Sequence, residues 1–484
     1  MARTTSFTDE ALIALDTLAG RTSELFAPAL RIGVTGLSRA GKTVFISSLV
    51  HNIVHSGRLP VFEAARSGRI AKSFLEEQPD DAVPRFQYED HIDSLVKTRV
   101  WPDSTRAISE LRLTIEYESA SAWNRLLGRG KLSLDIVDYP GEWLLDLPLL
   151  GKSYAEFSRE AWELAELPVR QDLSAEWRER AKTASPAGPA NEMDARSLAE
   201  SFAAYLRACK ADRRALSTLP PGRFLMPGDL DGSPALTFSP LPPPNGATPK
   251  SGSLHAMMER RYEAYKTHVV KPFFREHIAR LDRQIVLVDA LQALNAGPAA
   301  LADLERALTE ILACFRPGRG SLLGDLFARR IDRILVAATK ADHLHHTSHD
   351  RLQAIVRRLT QRAIERAGVE GADVDVVAMA AVRATREGTA RQGIDTLPVI
   401  IGTPLEGETI DGKTFDGHSE TAIFPGDLPR NPDAVFEARA DDPMIRFVRF
   451  KPPKLERGPD GLTLSLPHIR LDRAIQFLVG DRLA

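Results

Sequence analysis

The residues Gly36-Leu37-Ser38-Arg39-Ala40-Gly41-Lys42-Thr43 hold two glycines, a lysine and a threonine at the spacing of a phosphate-binding loop. Gly36 and Gly41 allow backbone conformations closed to residues with a Cβ, so consecutive N–H groups can turn inward around a β-phosphate. Val44 continues into a helix-compatible stretch whose positive end faces the same anion. Lys42 is then placed to bridge β- and γ-phosphate oxygens, and Thr43 to set its hydroxyl on Mg2+. The bland alternative is a glycine turn carrying a solvated lysine.

Two further motifs follow in order. Asp138-Tyr139-Pro140-Gly141 closes the apolar run from Lys131 to Val137. A carboxylate at a strand end holds Mg2+ through a water, and the Gly141 N–H can sense a γ-phosphate and move when it leaves. Thr339-Lys340-Ala341-Asp342 ends a second apolar run, Ile334 to Ala338, and matches the signature by which GTPases read guanine. The Asp342 carboxylate accepts hydrogen bonds from guanine N1–H and the 2-amino group, a donor pair that adenine lacks. The wrong base would leave that buried charge unpaired. Lys340 lies along the base plane, and His343 is a neighbouring base contact. Each short motif alone also reads as a solvated turn; their order along the chain argues for a site.

Other candidates lie around these three. In Val100-Trp101-Pro102-Asp103-Ser104-Thr105-Arg106, Thr105 is the candidate to close over Mg2+ in a triphosphate state, with Ser104 beside it. Arg106, or Arg99, is a candidate arginine finger in cis. Trp101 is placed to cover the base or ribose. Thr98 and Thr114 compete with Thr105, and Trp101 is equally a core residue. Ala381 and Val382 occupy the level where GTPases touch the guanine oxygen through a loop N–H, although the usual Ser-Ala-Lys is absent. His345 and His349 share a helical face as metal ligands would, but a solvated helix start explains them without a metal.

The elements that must position these residues are legible from periodicity. Runs at Arg31–Thr35, Ser109–Tyr117, Lys131–Val137, Gln284–Ala290, Ile334–Ala338 and Ala372–Ala381 read as strands, the second and third as an antiparallel pair. The roughly fifty residues after the phosphate-loop helix read as irregular. Helical spacing marks Thr8–Leu18, Tyr154–Ala165, Ser174–Thr183, Ala195–Arg214 and His255–Leu281. In the last of these, Tyr262, Tyr265, His268 and Lys271 form either a partner-facing stripe or a packing face. Asp229–Ser253 reads as a Pro- and Gly-rich linker. Met444–Phe450 alternates as a strand and Leu471–Leu478 as a helix. Arg446, Arg449, Lys451, Lys454 and Arg457 suit an anionic lipid, an acidic partner or a plain solvated face.

Length calls for two or three structural units. With 63 basic against 65 acidic residues and a formal charge of −2, bulk charge offers nothing to nucleic acid. Cys209 and Cys314 are the two cysteines, too few for a disulfide framework or a cysteine zinc site. No signal peptide is expected, nor an apolar run of about 18 residues; a cytoplasmic protein is the expectation.

The phosphate loop, the Trp101–Thr105 segment, Leu134–Trp143, Val286–Pro298 and Ile334–Leu344 together resemble the YcjX-like family of bacterial stress-associated P-loop GTPases. The resemblance implies an α/β fold: a Ras-like P-loop NTPase domain with a mostly parallel sheet and one antiparallel edge strand, a helical insertion and a small β-rich C-terminal extension. The units expected are 1–143 and 281–390 for the two parts of that domain, 144–280 for the insertion and 391–484 for the extension. GTP or GDP is the implied ligand and Mg2+ the cofactor. A protein partner is implied too, of a membrane-associated stress class, with no nucleic acid. Ras-like enzymes carry glutamine after the DxxG motif, where this chain has Glu142. A carboxylate can orient or deprotonate water, yet beside a γ-phosphate it needs a shielding cation, so slow hydrolysis is expected. Glu142 also suits a plain helix start. An ATPase, a small-molecule kinase and a non-hydrolysing scaffold are the rival readings.

Overall fold

The computed structural model describes residues 29–36, 39–103, 107–120, 130–212, 220–242, 250–315, 331–369, 371–392, 395–437, 445–455 and 465–484. The helix expected over Thr8–Leu18 lies outside them. Seven strands make the central sheet: Ala29–Gly36 (β1), Ile70–Glu76 (β2), Ser109–Tyr117 (β3), Gly130–Asp138 (β4), Arg283–Val288 (β5), Arg333–Ala338 (β6) and Asp373–Ala378 (β7). Their order is β2-β3-β4-β1-β5-β6-β7. All pairings from β4 to β7 are parallel, while β3 runs against both neighbours. The mostly parallel sheet with one reversed strand is as expected. The stretch read as irregular differs, because Ile70–Glu76 pairs with β3 and adds a strand outside it.

Interior parallel strands are covered on both faces, so they read as near-continuous apolar runs. Every residue of β5 is buried. Successive side chains point to opposite faces, and accordingly Ile285 and Leu287 join one apolar cluster while Val286 and Val288 join another. The first cluster takes Phe45, Ile46 and Leu49 of Lys42–Val54 (α1). The second is larger and holds most of the insertion.

That insertion is built from Tyr154–Ala165 (α2), Gln171–Thr183 (α3), Glu192–Ala211 (α4) and Leu254–Tyr265 (α5). Helix α2 coincides with the expected span because Ser153 and Glu156 form a reciprocal capping box. The helix expected over His255–Leu281 forms as one unbroken run from Leu254 to Ile278, in which α5 continues through wide π turns at Lys266–Val270 and Phe274–Ile278 that flank Pro272, which has no N–H to give the ladder. Tyr262 and Tyr265 are fully buried, whereas His268 and Lys271 are exposed, so the stripe divides into a packing face and a wet one. Phe238, in the stretch read as linker, is fully buried with ring centroids 5.7 and 5.4 Å from Tyr262 and Tyr265. The insertion shares its apolar cluster with Ala290–Ala296 (α6), Pro298–Phe315 (α7) and His349–Val369 (α8). Buried Arg170 pairs with Asp303 of α7 at 2.7 Å.

In the C-terminal extension, Arg386–Gln392 (β8), Asp395–Gly402 (β9) and Thr421–Ile423 (β12) form an antiparallel sheet beside a ribbon of Thr409–Ile410 (β10) and Lys413–Thr414 (β11). The strand expected at Met444–Phe450 is not formed over its described part, Ile445–Phe450. A single bridge, Phe450 with Pro404, is present, and the Arg446 and Arg449 N–H groups bond to Pro425 and to the Glu408 side chain instead. Leu471–Val479 (α9) is the expected final helix, and it returns to the sheet face occupied by α1.

Candidate functional site

Strands β1, β4, β5, β6 and β7 end at one edge of the sheet, the edge where ligands of such sheets bind. The phosphate loop leaves β1 there. Gly36 pairs in register with Leu287, and a Cβ on it would stand 2.6 Å from the Leu287 carbonyl oxygen. Gly41 has φ +84° and caps α1. Lys42 curls back with its Nζ 3.5 Å from the Gly36 carbonyl and is nearly buried. The Thr43 hydroxyl donates to the Asp103 carbonyl at 3.3 Å. That bond brings the segment ahead of Thr105 to the Thr43 hydroxyl. Leu37, Ser38, Ser104, Thr105 and Arg106 lie outside the described residues.

Asp138 ends β4 opposite Val34 of β1 and is buried. An all-oxygen set of Thr43 hydroxyl and Asp138 carboxylate suits a hard dication such as Mg2+. Thr114 sits in mid-β3, where its hydroxyl donates to Glu76 at 2.6 Å, so it is no rival to Thr105. Thr98 bonds back to Ser94 at the rim.

A cavity of ≈ 570 Å³ opens over these strand ends, within the roughly 300–1,000 Å³ of small-molecule sites. Arg39, Ala40, Gly41, Lys42, Thr43 and Val44 line one end of it. Thr339, Lys340, Asp342 and His343 line it as well, with Ala381 and Val382. Asp342 is buried, and its Oδ2 accepts the Ala384 N–H at 2.8 Å, which fixes the carboxylate and leaves lone pairs for a base. Lys340, at φ +61°, pairs with Asp289 at the end of β5. The His343 ring stacks on Phe447 with centroids 5.1 Å apart, and burial holds its pKa below the usual imidazole value. Trp101 and Arg99 line the cavity too, but Arg99 Nε is taken by the Pro452 carbonyl at 3.0 Å.

Gly141 and Glu142 are buried outside the cavity wall, at the start of a 3-10 stretch, Gly141–Gly151. Glu142 is indeed a helix start, but it is also an ion-pair partner: Lys210 of α4 holds its Oε1 at 2.6 Å. Burial alone would raise the carboxyl pKa; the Lys210 hydrogen bond and charge, with Lys42 adding, outweigh it and hold the group below its ordinary value. The insertion grips the next residues as well. Gly222 abuts the Glu142 carbonyl so closely that no Cβ would fit, and the Arg223 guanidinium lies 3.2 Å from the centre of the Trp143 ring. Buried Asp146 accepts from the Gly222 N–H at 2.7 Å, the Arg223 N–H at 3.3 Å and the Tyr265 hydroxyl at 2.6 Å. Burial, partly offset by these donors, pushes its pKa up to about 6.

Lys210, Leu405 and Phe450 carry no motif and lie far along the chain from the residues they join, Asp289 meets Lys340 across 51 positions, and Lys451 lines the cavity rather than a solvated face. The alternation of Met444–Phe450 is the one signal that pointed at Phe450. His345 and His349 do not pair as metal ligands: His349 turns its Nε2 toward Leu344, while His346 Nδ1 lies 2.6 Å from Glu387.

A model of the YcjX-like family, DUF463, matches residues 30–483. The protein named Ras-like GTPase YcjX from Escherichia coli strain K12 is 37% identical over 466 residues, covering 94% of this chain and 96% of that one. Its namesake from Shewanella oneidensis strain MR-1 is 35% identical over 475 residues, 94% of each chain.

Proposed function

From the premise that the chain belongs to the YcjX-like family, and is therefore GTPase-like, we propose that it is a GTP- and GDP-binding switch with slow Mg2+-dependent hydrolysis. One observation carries the reading: the phosphate loop and the Asp342 carboxylate share a single cavity. Gly36–Val44 hold the phosphates, with Lys42 bridging β and γ; Thr43, Thr105 and Asp138 would hold Mg2+, which neutralises charge on the leaving phosphates. Lys340, Asp342 and His343 take the base, with Ala381 and Val382 offering backbone, and Gly141 senses the γ-phosphate. Glu142 is assigned to the attacking water, shielded by Lys210. Its burial away from the cavity supports slow turnover, because the carboxylate must leave its lysine or bring it along.

We assign the chain to the cytoplasm, where GTP is made and spent; among the described residues no helix is long and apolar enough to cross a membrane. The role in bacterial stress, and a membrane-associated protein partner, rest on the family resemblance. Calorimetric titration with GDP, GTP and ADP in Mg2+, followed by a phosphate-release assay, tests the core of the reading. GDP and GTP binding with ADP excluded is the expected result. Equal binding of ADP would turn the reading to an ATPase or kinase, and guanine binding without phosphate release to a scaffold.

A further inference from the structure

We propose that Arg449–Pro452 of the C-terminal extension belongs to the nucleotide site: Phe450 and Lys451 contact the bound nucleotide, and the Trp101–Phe450 contact governs its release. The inference rests on the nucleotide-binding reading above and assigns it a roof.

The cavity wall includes Leu405, Arg449, Phe450 and Lys451, all from the extension. Two bonds tie this segment to the stretch that precedes Thr105. The Trp101 indole N–H donates to the Phe450 carbonyl at 2.6 Å, and Arg99 Nε donates to the Pro452 carbonyl at 3.0 Å. On the opposite side the Phe450 ring meets His343 edge-on at 5.3 Å, one residue from the base-reading Asp342. Phe447 adds a stack on His343 and lies 5.6 Å from the Lys340 ammonium. One short segment therefore spans the mouth from the Trp101 side to the base side. Its backbone is fixed, since the Lys451 N–H bonds to the Thr403 carbonyl at 2.8 Å and the Leu405 N–H to the Arg449 carbonyl at 2.8 Å.

Charge completes the argument. The Arg449 guanidinium is held by Glu408 at 2.6 Å. Half-buried Lys451 lines the same cavity, where a partly enclosed cation attracts phosphate more strongly than in open water. A nucleotide under this roof leaves only when the indole bond parts and the aromatic contacts open.

The test uses the full chain loaded with a fluorescent GDP analogue and chased with excess GDP. Release rates are measured for Trp101→Phe, Phe450→Ala and Lys451→Ala, and affinity is measured across a salt series. Trp101→Phe keeps an aromatic ring but loses the N–H donor together with the pyrrole part of the indole, so release should quicken by at least roughly three- to tenfold, the value of one hydrogen bond. Phe450→Ala should quicken it by about tenfold or more. Lys451→Ala should weaken GDP by about tenfold and flatten the salt dependence. All three variants should still prefer GDP to ADP. Wild-type release and affinity in Trp101→Phe and Lys451→Ala, whose side chains are only half-buried, would overturn the roof even if Phe450→Ala failed to fold. Failure of the guanine reading looks different: the wild type itself would bind ADP as well as GDP, and the same three release rates would still decide the roof for either base.

Discussion

Gly36 and Gly41 of the candidate phosphate loop resist a side chain for different reasons, and alanine separates them. At Gly36 the added Cβ would collide with the Leu287 carbonyl, a backbone atom of the neighbouring strand that cannot step aside. At Gly41 the space is open but φ is +84°. Thermal melts should show Gly36→Ala losing about 1–3 kcal/mol by overpacking and Gly41→Ala about 1–2 kcal/mol by backbone strain alone. Asp342→Asn should weaken GDP by about a hundredfold or more, because the amide replaces one of the two acceptors with a donor facing the 2-amino group. The same amide should gain xanthosine diphosphate, whose 2-oxo group accepts; a titration with both nucleotides reads the exchange, and unchanged GDP affinity would contradict Asp342 as the base reader. The motif residues were legible in the sequence because their chemistry is local. The Lys210 partner of Glu142 was not, since nothing in α4 marks one lysine among its polar residues.

Among the elements, the 3-10 stretch from Gly141 to Gly151 is held by residues 76 to 119 positions further along the chain, Gly222, Arg223 and Tyr265. Asp146 anchors it. The carboxyl ionises near 3.8 when unfolded and about 6 when folded, so the folded chain keeps a proton that the unfolded chain releases. That stabilisation is complete below the unfolded value and is lost as pH rises through about 6. Tyr265→Phe removes a donor to the ionised form and so should cost about 1.5–3 kcal/mol well above pH 6. The cost should shrink below it; denaturant melts on either side of pH 6 measure the difference, and an equal cost at both would show that Asp146 does not titrate there. Helix α2 was legible to the residue because its cap is written in Ser153 and Glu156. Ile70–Glu76 was not, because an outer strand with all of its residues half-buried or exposed carries little apolar periodicity. The apparent linker around Phe238 misled for the opposite reason: one aromatic ring in a Pro-rich stretch docks between two tyrosines.

For the whole molecule, the two faces of the sheet are closed by segments far apart in the chain. The insertion closes one together with α6, α7 and α8, and α9 closes the other beside α1. Asn52 of α1 holds both backbone groups of Leu466, and Val61 N–H bonds to Asp472 of α9 at 2.9 Å. Buried Arg283 bridges Asp332 and Asp481 beneath the same helix. Leu478→Ala, at a fully buried position, should therefore destabilise the whole nucleotide domain by about 2–5 kcal/mol. A single cooperative melt, shifted down and partly recovered by saturating GDP, is the expected outcome; a separate early transition would show α9 to be an independent appendage. The sequence by itself determined the strands that lead to the Gly36–Thr43 segment, to Asp138 and to Asp342, and the mostly parallel sheet, because glycine conformation and apolar periodicity act over a few neighbouring residues. Only the tertiary structure decided that Lys210 meets Glu142, that Asp146 meets Gly222 and Tyr265, and that Phe450 lines the cavity. Such contacts join residues tens to hundreds of positions apart and are selected by the packing of the whole core, which leaves no local pattern to read.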